Sequence, residues 1–190
     1  MQNEFLKYIR SFSIRERVAF SLGIAQKVSL CLKEHAEIYA SVCKALNVAW
    51  DWEESLLTTG NMIDEHVTLV HVPLWLKDDS GQVFEVLTNQ QQVKAITAIV
   101  AILLYVAWHA YGQSGEICVT DPVNESGEDN IDDALSCAIG SGQITQLFLS
   151  ELHSAIVTSS SCNDPVPRYY ATHVLGHRIN RSIVFDVINK

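Results

Sequence analysis

A chain of 190 residues suits one compact domain, and an apolar fraction of 48% is too high for a disordered protein. Four prolines and nine glycines are spread without a linker-like tract, and no repeat recurs at a period of about 20 to 50 residues. The formal net charge of −9 is uneven, with +4 in residues 1–33, +3 in 168–190 and −16 in 34–167, a middle that repels nucleic acid and attracts a basic partner.

The start, Met1-Gln2-Asn3-Glu4-Phe5, has no basic stretch followed by an apolar run, so no secretory signal is expected. A short helix is expected around 3–11 on Phe5, Leu6 and Ile9. Ser13-Ile14-Arg15-Glu16 has the capping-box pattern, with Ser13 as N-cap and Glu16 three residues on. Val18, Leu22, Ala25, Val28 and Leu32 then fall at spacings of three and four, which predicts an amphipathic helix over 14–33. A second long helix is predicted over 37–57, burying Ile38, Val42, Ala45, Leu46, Ala49, Trp52 and Leu56, and Gly60-Asn61 is its stop. Residues 61–87 read as a loop with a short helix over 62–70. A small hairpin is the alternative, because Val67 to Val72 is rich in β-branched residues, Pro73 interrupts it and Asp78-Asp79-Ser80-Gly81 is a turn signal.

Thr88 or Asn89 caps the next helix, about 90–112, which is apolar over most of its circumference from Ala95 to Trp108. Such a helix should be enclosed by others. The apolar run falls short of the roughly 20 residues needed to span a bilayer, so it reads as the core of a bundle, ending at Tyr111-Gly112. An acidic loop over 121–130 leads into a further helix, capped by Asp129 or Asn130. Ala134, Leu135, Ala138, Ile139, Ile144, Leu147, Phe148, Leu152 and Ile156 are its apolar positions, and Gly140 and Gly142 kink or break it. After a polar loop over 158–163, Pro165 opens a final helix to about 179, and Ile183-Val184-Phe185 is read as a docking turn or short strand. The fold class is all-α: a single-domain bundle of about six or seven helices around the central apolar helix.

Five cysteines (Cys31, Cys43, Cys118, Cys137 and Cys162) leave an odd one out and show no CxxC spacing. Free thiols in a reducing compartment are expected, which places the protein in the cytoplasm. Each lies in an apolar or loop context, so a thiolate nucleophile is not expected.

Two histidines are the best candidates for chemistry. In His173-Val174-Leu175-Gly176-His177 the imidazoles share a helix face at i and i+4 and could hold one metal. The zincin pattern fails, since Val174 stands where glutamate is needed, and only Cys162 or Asp164 lies near as a third ligand. The acids Asp121, Glu125, Glu128, Asp129, Asp132 and Asp133 do not make an EF-hand, because Ser126 and Asp132 stand at its glycine and glutamate positions. They read instead as a binding surface, or as solvated and helix-capping acids, with Asp129, Asp132 and Asp133 favoured by the positive end of a helix dipole. Asp51, Glu53 and Glu54 form a second acidic cluster, read as surface and interface, with Trp52 as core. Neighbours on a helix point about 100° apart, which keeps these carboxylates from converging on one substrate. Neither Ser141 nor Ser159-Ser160-Ser161 lies in a nucleophile elbow, and Gly140-Ser141-Gly142 is too short to cradle phosphate. No catalytic residue, cofactor or metal is assigned, and the chain is not expected to be an enzyme.

Phe5-Leu6-Lys7 followed by Ser13-Ile14-Arg15-Glu16-Arg17-Val18-Ala19-Phe20 resembles the start of an all-helical family of bacterial polymorphic-toxin immunity proteins, the one numbered six in that series. Trp50-Asp51-Trp52 on a second helix, the long apolar helix after Asn89 and the acidic approach over 124–133 are similar in order and spacing, so the resemblance covers about 4–157. It implies a cytosolic protein encoded beside a secreted toxin, which binds that toxin and protects kin. Such toxins are frequently nucleases with a basic cleft. The expected partner is therefore a basic cognate toxin, met through Asp51, Glu53, Glu54, Asp121, Glu125, Glu128, Asp129, Asp132 and Asp133, with no nucleic acid and no membrane. Two other readings compete: a metal-dependent or hydrolytic enzyme using His173 and His177, and a self-associating scaffold that buries Trp75, Trp108 or Ile183-Val184-Phe185. The oligomeric state is left open.

Overall fold

Helix α1, Ile14–Ser29, begins at a complete capping box: the Ser13 backbone N–H donates to Glu16 Oε2 at 2.8 Å, and the Ser13 side chain accepts from the Glu16 backbone N–H. The computed structural model describes residues 9–55, 58–71, 75–77, 83–85, 87, 89–115, 120–127, 130–160 and 181–189, and residues 9–11 are helical ahead of α1. The helix expected over 14–33 tightens into a 3-10 turn at Leu30–Leu32. Helix α2 is Ala36–Ser55 and α3 is Gly60–His71. The short helix expected over 62–70 is α3, which takes in Val67 to Val70 of the β-branched stretch, and a small hairpin follows it. Strands β1, Trp75–Lys77, and β2, Val83–Glu85, pair antiparallel with Leu76 opposite Phe84. This three-residue ribbon leaves the architecture all-α.

Helix α4, Gln90–Ser114, is the central helix. Asn89 is its N-cap, its side chain accepting from the Gln91 N–H at 2.9 Å. It does not stop at Gly112, which is helical with nothing near the place a Cβ would occupy. The chain turns at Gly115, whose φ of 70° is the left-handed conformation that glycine adopts without strain. Helix α4 packs along α6, Asn130–Gly140, along α3 and along α1, with α2 touching it more lightly. By length and composition α4 could cross a membrane, yet 61% of its most apolar window is buried among these neighbours. Enclosure on several sides is what its nearly all-round apolar surface requires.

Between α4 and α6 lies one turn of helix, α5, Asp121–Asn124. The break foreseen at the two glycines falls after Gly140. Ser141 Oγ donates to the Ala138 carbonyl at 2.6 Å, Gly142 takes φ 76°, and helix α7, Gln146–Ser160, starts afresh with Thr145 Oγ1 accepting from the Phe148 N–H. Helix α8, Arg181–Ile188, corrects the reading of Ile183-Val184-Phe185 as a turn or strand. Val184, Val187 and Ile188 stand at i, i+3 and i+4 and bury one stripe against α7 and α1. The Lys27 ammonium donates to the Ile188 carbonyl at 3.0 Å, satisfying an end group of the last helix. A Cβ on Gly23 would come within 2.8 Å of Leu152 and 3.4 Å of Val184, so α1 meets α7 and α8 at close range there. One continuous core joins residues from Ile9 to Ile188. The helix expected over 165–179 lies outside the described residues.

Candidate interaction surface

Two of the three acids clustered on α2 face arginines. Glu53 is fully buried, which corrects its assignment to an exposed interface. Its carboxylate faces Arg15 of α1, with Nε 3.2 Å from Oε1, and the same guanidinium donates to the Glu53 backbone carbonyl. An isolated buried carboxylate would be costly, and a buried guanidinium in the same place offsets that cost. Asp51 is exposed and lies 3.7 Å from the Arg181 guanidinium at the start of α8. Arg181 also sits over the Phe185 ring at 4.7 Å and the Trp50 ring at 5.5 Å. Burial pushes its pKa below the ordinary value, while Glu54, Asp51 and Glu53 work against that shift. Glu54 is half-buried. This cluster ties α1, α2 and α8 together, and of the three acids Asp51 is the exposed one.

The second cluster is more open. Glu125 and Asp133 are exposed, and Asp132 is partly exposed with its carboxylate 4.0 Å from Arg10. The Asp121 side chain, Glu128 and Asp129 lie outside the described residues. Asp132 and Asp133 stand in the first turn of α6, where the helix dipole favours negative charge. Helix α6 runs back along α4 with Gly140 against Lys94, which turns its acidic first turn toward the C-terminal half of α4. No lysine or arginine occurs from residue 95 to 167, or from 45 to 76. The stretches that carry α3, α5 and the start of α6 therefore supply no lysine or arginine of their own, although Arg10 reaches the start of α6.

Sequence reasoning gave no role to Asp64, the joint between α3, α4 and the approach to α5. It is buried and accepts from Thr120 Oγ1 at 2.7 Å and from the Tyr111 hydroxyl at 3.5 Å. One carboxylate thus joins α3, the end of α4 and the residue before α5. Gly60 admits the Tyr111 ring, since a Cβ there would lie 2.4 Å from it. The partners are distant in sequence, so no local signal marks them. The outward stripe of α3 was also unmarked, with Met62 46% and Leu69 54% exposed.

Candidates for chemistry are sparse. Among the described residues no three His, Cys, Asp or Glu side chains are grouped to hold a metal ion. His173, His177, Cys162 and Asp164 lie outside them. Cys31, Cys43 and Cys137 are free thiols, and burial raises the pKa of Cys31 and Cys137, which disfavours the thiolate. His109 is buried against Tyr105 and Trp108, and burial, reinforced by Arg17, lowers its pKa to about 4. Val184 is buried and Phe185 packs edge-on to Trp50, so the C-terminal apolar segment is used within this chain.

The model of the family "Immunity protein Imm6" matches residues 16–140, more than half of the chain. The chain belongs to the Imm6 family. No curated protein and no solved structure matches it. As an Imm6 protein it is an immunity protein of a polymorphic-toxin system, and its partner is a cognate toxin. The matched span begins at the capping-box glutamate, Glu16, and ends with α6, so it holds Glu53 and the joint at Asp64. Helices α7 and α8, with Arg181, lie beyond it.

Proposed function

We propose that this Imm6 protein acts in the cytoplasm by binding a basic toxin domain and occluding its cleft, without catalysis of its own. The toxin class that suits this reading best is a nuclease, whose phosphate-binding cleft is cationic. The supporting observation is the exposure of Glu125 and Asp133 on a face whose flanking chain, from residue 95 to 167, has no lysine or arginine. Exposed carboxylates offer such a cleft negative charge, and they steer the encounter. Asp51 belongs to the same reading with a smaller role, because Arg181 already neutralises part of its field.

The test is growth rescue coupled to complex formation. The C-terminal domain of the toxin encoded beside this protein is expressed with and without it, and the same lysate is run by size exclusion. Rescue together with a one-to-one complex is the expected result. Rescue without any complex would overturn inhibition by occlusion.

A further inference from the structure

We propose that the outward stripe of α3, Met62–Glu65–Leu69, is the apolar anchor on which the cationic toxin surface docks. The inference rests on the binding function proposed above and deepens it by naming where the contact centres. On α3, Ile63, Val67 and Val70 are buried against the bundle, whereas Met62 and Leu69 remain 46% and 54% exposed. Seven positions of an α-helix bring the chain round to within about 20° of its starting direction, so these two side chains share one stripe about 10 Å long. Two of the other exposed large apolar residues among the described residues, Leu147 and Val157, also share a helix. Their ten-residue separation turns them about 80° apart, which makes α3 the place where such side chains line up.

Charge selects the occupant. Glu65 stands between Met62 and Leu69, its carboxylate accepting from Asn61 Nδ2 at 2.9 Å, and neither α3 nor the chain from 45 to 76 has a lysine or arginine. The bond from Thr120 to Asp64 brings the residues just before exposed Glu125 alongside the first turns of α3. An apolar centre with an anionic rim is complementary to a cationic protein surface that offers a small apolar recess. Unbranched Met62 can adapt to the shape of such a recess. Helix α3 is fixed in advance by the Asp64 joint and the contact of Gly60 with Tyr111, so little ordering is left for the moment of binding.

The test measures the purified toxin C-terminal domain binding to wild-type protein, to Met62→Ser with Leu69→Ser, and to Glu125→Lys with Asp133→Lys. Both apolar side chains point to solvent, and an unchanged melting temperature checks that the serine variant is folded. The anchor assignment expects the serine variant to lose about 30-fold or more in affinity, mostly as faster dissociation, and to stop rescuing growth. Wild-type affinity in the serine variant, with weakened binding in the lysine variant, would overturn the anchor and leave the acidic docking reading intact. Absence of any wild-type complex would remove both. Dimerisation of the free protein that the serine variant abolishes would give the stripe to a second copy of this chain and overturn the proposal.

Discussion

Arg15 and Glu53 show how a charged pair can be part of a core. Both are buried, and each carries a charge that water no longer screens. Replacing Arg15 by Met leaves the Glu53 carboxylate buried without its guanidinium and should lower the unfolding free energy by about 3–5 kcal/mol in urea titrations. Adding Glu53→Leu should return much of that loss, because the buried pair is replaced by apolar surface. A strictly additive double variant would show that the two side chains are not energetically coupled. His109 argues through pH. Its folded pKa of about 4 lies below the ordinary 6.5, so between these values the unfolded chain takes up a proton that the folded one refuses. Stability from this group is complete above pH 6.5 and is lost as the pH falls toward 4, at up to about 1.4 kcal/mol per pH unit. The variant His109→Gln should show a shallower fall in melting temperature between pH 7 and pH 5 than the wild type. An unchanged slope would place the proton uptake elsewhere.

At the level of elements, helix α8 is held by its buried stripe, Val184, Val187 and Ile188, and by specific contacts at both ends. Arg181 reaches Asp51 and lies over Phe185 and Trp50, and Lys27 caps the far end. The ion pair is partly exposed and contributes little, so most of what Arg181 adds to the buried stripe should come from its guanidinium over the two rings and its bond to Asn47 Oδ1. Arg181→Ala should loosen α8 by about 1–2 kcal/mol, speeding amide exchange over Arg181–Ile188 by about 5- to 30-fold while leaving α4 unchanged. What the sequence disclosed about the elements follows from how local each cause is. The Ser13–Glu16 box and the Asn89 cap are contacts within three residues, and the central apolar helix is a property of its own composition. Gly112 misled because a glycine on an open helix side is tolerated, whereas Gly115 is the residue with positive φ. The i, i+3, i+4 signal of Val184, Val187 and Ile188 was present, but eight residues gave too short a run to separate helix from strand. Glu53 was misplaced because three acids within four positions read as surface until an arginine thirty-eight positions earlier is known to face one of them.

For the whole molecule, the distribution of charge matters more than its sum. Arg15 and Arg181 each take up an acid of α2, so this cluster is partly neutralised within the fold. Glu125 and Asp133 are exposed in a stretch, 95–167, that has no lysine or arginine, and Arg10 beside Asp132 offsets part of their field. If that field steers a basic toxin, its effect belongs to the association rate and decays with salt, since the screening length is about 8 Å at physiological ionic strength. Asp132 is a poor choice for testing this, because a lysine there would face Arg10 and introduce a repulsion unrelated to the partner. Glu125→Lys with Asp133→Lys is the cleaner reversal. In stopped-flow mixing with the toxin domain at low salt, it should slow association by about tenfold or more and flatten the dependence of the rate on ionic strength, with dissociation nearly unchanged. Equal association rates for the variant and the wild type across the salt series would mean that this face does not steer the encounter, and that the Met62–Leu69 stripe, if it binds, does so without electrostatic guidance from its neighbours.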